Sequence, residues 1–328
     1  MRLEAFTEAR EPARPESNED ALVVLPGRAF AVIDGVTDRN GTRYDGMLAG
    51  RYAARLAASA LEALFATGTP EAGQIVPALT EALQAAYRLH GIDLSASGWG
   101  GRMCCTLALA ILGDDWLDVV LVGDSGIRLN GVTVLQMRKD LDMITALLRR
   151  HAWAPIAARV SDAVERERLA RQVVFHGTGQ DAAALAPVLN AADLAAIGAA
   201  ATTACRAALP HVPQAEIALL LERGIVEGQG LFQNRTDSVL GYACLDGFAV
   251  PGALMRIERL PLPQRIELFT DGYARPAAGF GVAAWDADFQ ATEREDPSKI
   301  GAFLSVKGSL PGRWSDDRTY LAVTLSSP

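Results

Sequence analysis

Six carboxylates in this 328-residue chain stand at the ends of hydrophobic, β-prone runs. Asp20 closes "SNED" before Leu22–Leu25, Asp34 ends Ala29–Ile33, Asp124 ends "VLVGD", Asp271 ends "IELFT", and Asp316 and Asp317 precede "RTYLAV". Strand ends hold side chains rigidly and can bring them to one edge of a sheet. Carboxylates gathered without Lys or Arg partners repel one another and call for a cation. An all-oxygen set suits Mg²⁺ or Mn²⁺, hard octahedral ions that keep several waters. Asp34 and Asp271 are each followed by a glycine, Gly35 and Gly272. Glycine permits a tight turn and a close backbone approach, and the Gly35 carbonyl is itself an available ligand. An Asp-Gly pair after a strand is also an ordinary turn signal. The joint pattern, rather than either pair, points to a binuclear metal centre.

The elements that must position these groups fall into blocks. Leu22–Leu25 and Ala29–Ile33 read as a hairpin around Pro26-Gly27-Arg28, and Met47–Phe65 and Ala72–Leu89 as amphipathic helices. Met103–Leu112 and Trp116–Val122 form a second hairpin about Gly113-Asp114-Asp115, and "IRLNGVTVLQM" a third, turning at Asn130-Gly131. From about 140 to 225 the sequence is rich in Ala, Leu, Arg and Glu and predicts several helices, among them "DAVERERLARQVV" and "ADLAAIGAAATTACRAAL". Strand texture returns in "VLGYACLDG", "LMRIERL", "RIELFT" and "YLAVTL". Strands, then helices, then strands argue an α+β protein rather than a doubly wound parallel sheet.

In this order the motifs resemble the metal-dependent serine/threonine phosphatases of type 2C, the PPM family, and its bacterial branch. The resemblance rests on "SNED" at 17–20, "FAVIDGV" at 30–36, "CCTLALAIL" at 104–112, "VLVGDSG" at 120–126, "ELFTDGY" at 267–273 and "SDDRTYLAV" at 315–323. "NRTDSVLGYACLDG" at 234–247 adds to it. The resemblance covers roughly 14–137 and 228–328 and fits the middle helices poorly. It implies a four-layer sandwich of two antiparallel β-sheets flanked by helices. The phosphatase core then runs over 1–139 and 228–328, and 140–227 is a helical insertion or lid beside the active site.

The site residues follow by the same resemblance. Asp34 bridges two ions, Gly35 gives a carbonyl to one, and Asp271 and Asp316 bind the other. Glu19 and Asp20 act mainly through metal-bound waters, Asp20 being counted with the metal set. Asp317 supports the last ligand, and Thr319 steadies that turn. Asp140 is the candidate for a third ion, with a helix cap as its alternative role. The implied activity is hydrolysis of phosphoserine or phosphothreonine monoesters on a phosphoprotein, a kinase-linked target, through a water shared by two Mn²⁺ or Mg²⁺ ions. Three departures stand out. Arg14 lies one residue earlier than the family's phosphate-clamping arginine, Pro15 occupying that place, and is the candidate to bind the substrate phosphate, since a loop can absorb one residue. Gly126 replaces an arginine after Gly-Asp-Ser. The first Asp-Gly runs into "VTDRNGTRYDG", where Asp38, Arg39 and Arg43 either face substrate or form a solvated loop.

Composition sets bounds. With 31 Lys and Arg against 39 Asp and Glu, the formal charge is −8 and no basic block offers a footprint for nucleic acid. No stretch is apolar enough to predict a membrane span, and no secretory signal is read, so a cytoplasmic protein with reduced thiols is expected. The histidines at 90, 151, 176 and 211 stand near none of the motifs, so no histidine acid is expected. A haloacid-dehalogenase-type phosphotransferase needs a second Asp two residues after the first, where Val36 stands. The alternative on the same fold is a weak or inactive pseudophosphatase acting as a regulatory binding module. The retained carboxylates argue against it, because a non-catalytic domain has no physical reason to gather like charges.

Overall fold

The computed structural model describes residues 1–325 apart from 39, 97, 99, 181–184, 186 and 187. In chain order its strands are β1 (Arg2–Glu8), β2 (Ala21–Leu25), β3 (Ala29–Ile33), the two-residue pair β4 (Arg43–Tyr44) and β5 (Met47–Leu48), β6 (Leu107–Leu112), β7 (Trp116–Val122), β8 (Gly126–Leu129), β9 (Thr133–Gln136), β10 (Met255–Pro261), β11 (Arg265–Phe269) and β12 (Arg318–Thr324). Its helices are α1 (Ala49–Ala66), α2 (Ala72–Leu89), α3 (Asp140–Ala157), α4 (Ala163–His176), α5 (Ala191–Ala208), α6 (Gln214–Gly228) and α7 (Val282–Glu295). Two compact units result. One comprises Met1–Arg138, Tyr242–Gln290 and the chain from Asp316 onward; the other comprises Lys139–Gly241 and Ala291–Ser315.

The first unit holds two five-stranded antiparallel sheets, ordered β1-β12-β11-β8-β9 and β10-β7-β6-β3-β2. Period-two alternation divides each strand between two layers. Phe30, Val32, Ala108, Ala110, Val119 and Leu121 face inward and meet Ile127, Leu129, Ile266, Leu268, Leu321 and Val323 of the other sheet. The intervening residues Ala29, Ala31, Ile33, Leu107, Leu109, Ile111, Val120 and Val122 face outward and pack with Ala53, Ala57, Leu61, Phe65, Leu79 and Leu83 of α1 and α2. Both faces of β3, β6 and β7 are therefore apolar, and each fully buried Leu, Ile, Val or Phe side chain contributes about 1.5–3 kcal/mol.

The outer face of the other sheet is built differently. Glu267 is buried on β11 and accepts two hydrogen bonds of 2.5 Å from the Arg128 guanidinium on β8. It also accepts from Trp285 Nε1 of α7 at 2.9 Å and from Tyr320 Oη of β12 at 2.7 Å. Burial, then the Glu267 carboxylate, raises the Tyr320 hydroxyl above its ordinary range. Trp285 stacks on Tyr320 and Phe269, so the part of α7 in this unit closes the fourth layer: helices, sheet, sheet, helix. This is the α+β sandwich the sequence predicts.

The second unit is mainly helical. Asp162 caps α4 through the Glu165 amide at 2.8 Å, and Asn190 and Asp193 form a reciprocal capping box on α5. Buried Arg149 of α3 pairs with Glu167 of α4 and donates to the Ser298 carbonyl at 2.6 Å, while the Gly308 amide donates to Glu167 at 2.9 Å. These bonds tie 291–315 into the helical unit, which also takes in 228–241 and so exceeds the stretch 140–227 marked out by sequence texture. Two further differences appear. β1 was not read from the sequence, because it is an edge strand with alternate residues in solvent. "VLGYACLDG" is not a strand; it touches the sheet region through one bridge, Leu245 to Cys105. All four cysteines are buried thiols outside any disulfide, and no helix among the described residues is long and apolar enough to cross a membrane.

Candidate metal centre

The antiparallel sandwich brings three strand ends together. Asp34 follows β3, Asp124 follows β7 and Asp271 follows β11, and one carboxylate oxygen of each lies within 4.8 Å of the others. Asp34 and Asp271 are two of the ligands expected from the sequence. Asp124 is the addition. It stands in the sequence among the strand-end carboxylates, but the family resemblance gives it no ligand role. Its position at the end of β7, in the same pattern as Asp34, was the available signal.

Small residues bring the motifs into contact. A β-carbon on Gly35 would lie 2.4 Å from the Gly50 carbonyl oxygen and 2.5 Å from that of Glu19. One on Gly272 would lie 1.9 Å from the Asp317 carbonyl oxygen. Each Asp-Gly pair is therefore a place where a second motif's backbone presses against the first. The Asp34 carbonyl accepts from the Thr106 amide at 2.8 Å, and the Val36 amide donates to Cys104 at 3.0 Å, so the backbone on both sides of Gly35 is fixed. Gly126, where the family has an arginine, packs against the Phe269 ring, which a β-carbon would meet at 2.4 Å.

A relay of hydroxyls locks the remaining motifs. Asn18 Nδ2 donates to Thr7 Oγ1 at 2.8 Å, Thr7 Oγ1 is 2.8 Å from Thr319 Oγ1, and the Thr319 amide donates to Thr270 Oγ1 at 2.9 Å. Thr270 Oγ1 in turn donates to Asp20 Oδ2 at 2.9 Å. Thr319 thus steadies the turn by joining β12 to both β1 and the end of β11. Thr106 and Ser125 hydroxyls, 2.8 Å apart, tie the start of β6 to the Gly-Asp-Ser turn.

The other expected residues fall around this set. Asp20 Oδ1 is buried and has no hydrogen-bond partner. Burial, then the Asp317 and Asp271 charges, pushes the Asp20 carboxyl well above the usual carboxylate range. Glu19 accepts from Thr37 Oγ1 at 2.8 Å. Asp317 accepts the Arg10 amide at 2.6 Å and the Glu19 amide at 2.9 Å, clamping the N-terminal segment; burial raises its carboxyl despite those bonds. Asp316 accepts its neighbour's amide at 3.2 Å and is not one of the three converging carboxylates. Asp140 belongs to the helical unit, where it opens α3 and its Oδ2 lies 2.6 Å from His211 Nε2. Arg14 is exposed and held by Glu11 and Glu16 at 3.2 and 3.5 Å. Asp38 accepts the Thr42 amide and, at 2.7 Å, the Gly101 amide, and Arg43 donates to the Gly46 carbonyl at 2.7 Å, so both serve the loop; Arg39 lies outside the described residues.

The donor set fits a hard divalent cation. Three carboxylate oxygens converge, the buried Oδ1 of Asp20 lacks a hydrogen-bond donor, and no nitrogen or sulfur group is among the converging three.

No family model matches the chain and no curated protein matches it. Solved structures are similar to it. The serine/threonine phosphatase PstP of Mycobacterium tuberculosis is 16% identical over 99% of each chain, with a TM-score of 0.45. The catalytic domain of PstP in complex with two manganese ions is also 16% identical, over 99% of this chain and 98% of that one, at 0.45. A serine/threonine phosphatase of Staphylococcus aureus is 12% identical over 100% of this chain and 96% of that one, again at 0.45. At these identities and scores, the functional reading rests on the chain's own residues.

Proposed function

We propose that the chain is a metal-dependent phosphoserine/phosphothreonine protein phosphatase of the type its motifs resemble. The observation that carries this is the convergence of Asp34, Asp124 and Asp271 from three strand ends, with the buried Asp20 oxygen lacking a donor. Divalent Mn²⁺ or Mg²⁺, when bound, would supply the charge that makes water a nucleophile at neutral pH and that screens the phosphoryl oxygens.

The residues divide the remaining work. Asp34, Asp124 and Asp271 would hold the ions with the Gly35 carbonyl, and Asp316 is proposed as a further ligand. Thr270, tied to the Thr319 backbone, holds the Asp20 carboxylate and fixes the backbone that carries Asp271. Asp317 and Glu19 keep the N-terminal segment against the site. Cys104, Cys105 and Cys244 are buried, so substrate has no thiol nucleophile to reach in this region. The substrate would be a phosphoprotein made by a partner kinase, and the helical unit is proposed as its lid or docking element.

Phosphoserine and phosphothreonine peptides, incubated with and without Mn²⁺, test the reading. Release of phosphate that Mn²⁺ supports and a chelator abolishes is expected. Full activity in excess chelator would overturn it, and binding without turnover at any metal concentration would favour the regulatory module.

A further inference from the structure

Arg51 and Arg55 stand one turn apart on α1 and share a face. Both line a cavity of about 290 Å³, together with Thr7, Asn18 and Asp20. Glu8 is on the same wall, but its carboxylate is held by Arg318 at 2.6 Å. Arg51 is already employed. It donates to the Asn18 carbonyl and lies near the charges of Asp317, Glu16 and Glu19. Arg55 is exposed, and it stands one turn from the like charge of Arg51. Two like charges held one turn apart repel, and an anion between them relieves the repulsion.

The cavity's position decides what kind of anion. It is lined by Asp20 but by none of Asp34, Asp124 and Asp271. A group seated there lies beside the converging carboxylates and not on them. It is therefore not the phosphoryl group under attack but a neighbour on the same ligand. We infer that Arg55, backed by Arg51, is a specificity-determining residue that receives an acidic side chain flanking the phosphoresidue of the substrate. Carboxylate and a second phosphoryl group share the needed chemistry: a planar or tetrahedral oxyanion that a guanidinium can meet with two parallel hydrogen bonds. The inference rests on the phosphatase reading for its substrate but not for its binding surface.

Three phosphopeptides of one sequence test it, with Ala, Glu or a second phosphoserine beside the phosphoresidue. The wild-type protein is expected to prefer the acidic peptides over the Ala peptide by about three- to fivefold in kcat/KM, the range of an exposed ion pair, mainly through KM and less so at high salt. The ratio should fall to about one in Arg55→Ala, invert in Arg55→Glu and be kept only in part in Arg55→Lys, which retains the charge but not the two parallel bonds. The Glu and phosphoserine arms show which oxyanion is preferred. The same labelled peptides are titrated in chelator, with binding followed by fluorescence anisotropy. If no peptide is hydrolysed but acidic peptides bind wild type more tightly than Arg55→Glu, the phosphatase reading fails and the subsite stands. Equal acidic-to-neutral ratios in wild type and Arg55→Glu, in both assays, overturn the subsite and leave the phosphatase reading untouched.

Discussion

Gly272 lies so close to Asp317 that a β-carbon on it would stand 1.9 Å from the Asp317 carbonyl oxygen. The contact joins the end of β11 to the start of β12 beside Asp271, with no room for a side chain. Gly272→Ala must move backbone, and the same holds for Gly35→Ala against Glu19 and Gly50. Each substitution is expected to cost about 1–3 kcal/mol and to disturb the Asp next to it. Urea denaturation checks the first part and Mn²⁺-dependent turnover the second. Wild-type stability in Gly272→Ala would show that the contact is not tight.

Asp34→Asn, Asp124→Asn and Asp271→Asn keep side-chain shape and each remove one converging charge. Loss of a charged ligand should lower turnover about a hundredfold or more. In chelator the same variants should be at least as stable as wild type, because repulsion among like charges is relieved. Gain of stability with loss of activity separates a metal site from a structural cluster. A near-wild-type rate for Asp34→Asn would remove it from the site, and one for Asp124→Asn would restore the set read from sequence alone.

Metal should also stabilise the fold. A ligand that binds only the folded protein adds about 2.7 kcal/mol at a hundred times its dissociation constant. The thermal midpoint should rise on titration with Mn²⁺ and fall back on chelation. A midpoint that ignores Mn²⁺ in wild type would speak against a resident ion, whatever the assay of phosphate release showed.

The Arg128–Glu267 pair tests the outer layer. Glu267→Leu leaves a buried guanidinium uncompensated and should cost about 3–5 kcal/mol. The double change Arg128→Met with Glu267→Leu should recover most of that loss, although Trp285 Nε1 and Tyr320 Oη then lose an acceptor. Chemical denaturation of these two variants and of Arg128→Met alone closes the cycle. A double variant no better than Glu267→Leu would show that the Trp285 and Tyr320 bonds, not the ion pair, hold this layer.

Legibility in the sequence followed physical range. β2, β3, β7, α2 and the Asn130-Gly131 turn are set by local alternation, helical periodicity and residues able to adopt positive φ, here 53° and 73°. Those signals lie within a few residues of one another. β1 was missed because an edge strand half in solvent carries little alternation. "VLGYACLDG" has strand composition, but its hydrogen bonds go to Cys105 and not into a ladder, which only tertiary contact decides. At the site, Asp34 and Asp271 were legible because a glycine follows each. Asp124 is legible as a strand-end carboxylate but not as a ligand, because convergence of three strand ends is a property of sheet order. Arg14, the sequence's candidate for the substrate phosphate, is exposed and pairs with Glu11 and Glu16.

Asp140 separates two readings of one residue. It opens α3 with Lys139 as the cap residue, and no side-chain cap bond is made, so it does not serve as the N-cap itself. Its charge nonetheless lies in the first turn, where a carboxylate favours the helix by about 0.3–1 kcal/mol, and it pairs with partly exposed His211. Asp140→Ala should therefore lower stability by about 1 kcal/mol. His211→Ala should reproduce only the part due to the pair. If Asp140 holds no ion, the Mn²⁺ concentration for half-maximal turnover stays at the wild-type value in both variants, and this is the outcome expected from its bond to His211. A several-fold rise in the Mn²⁺ requirement for Asp140→Ala, absent in His211→Ala and without a matching loss of stability, would instead make Asp140 a ligand of a third ion.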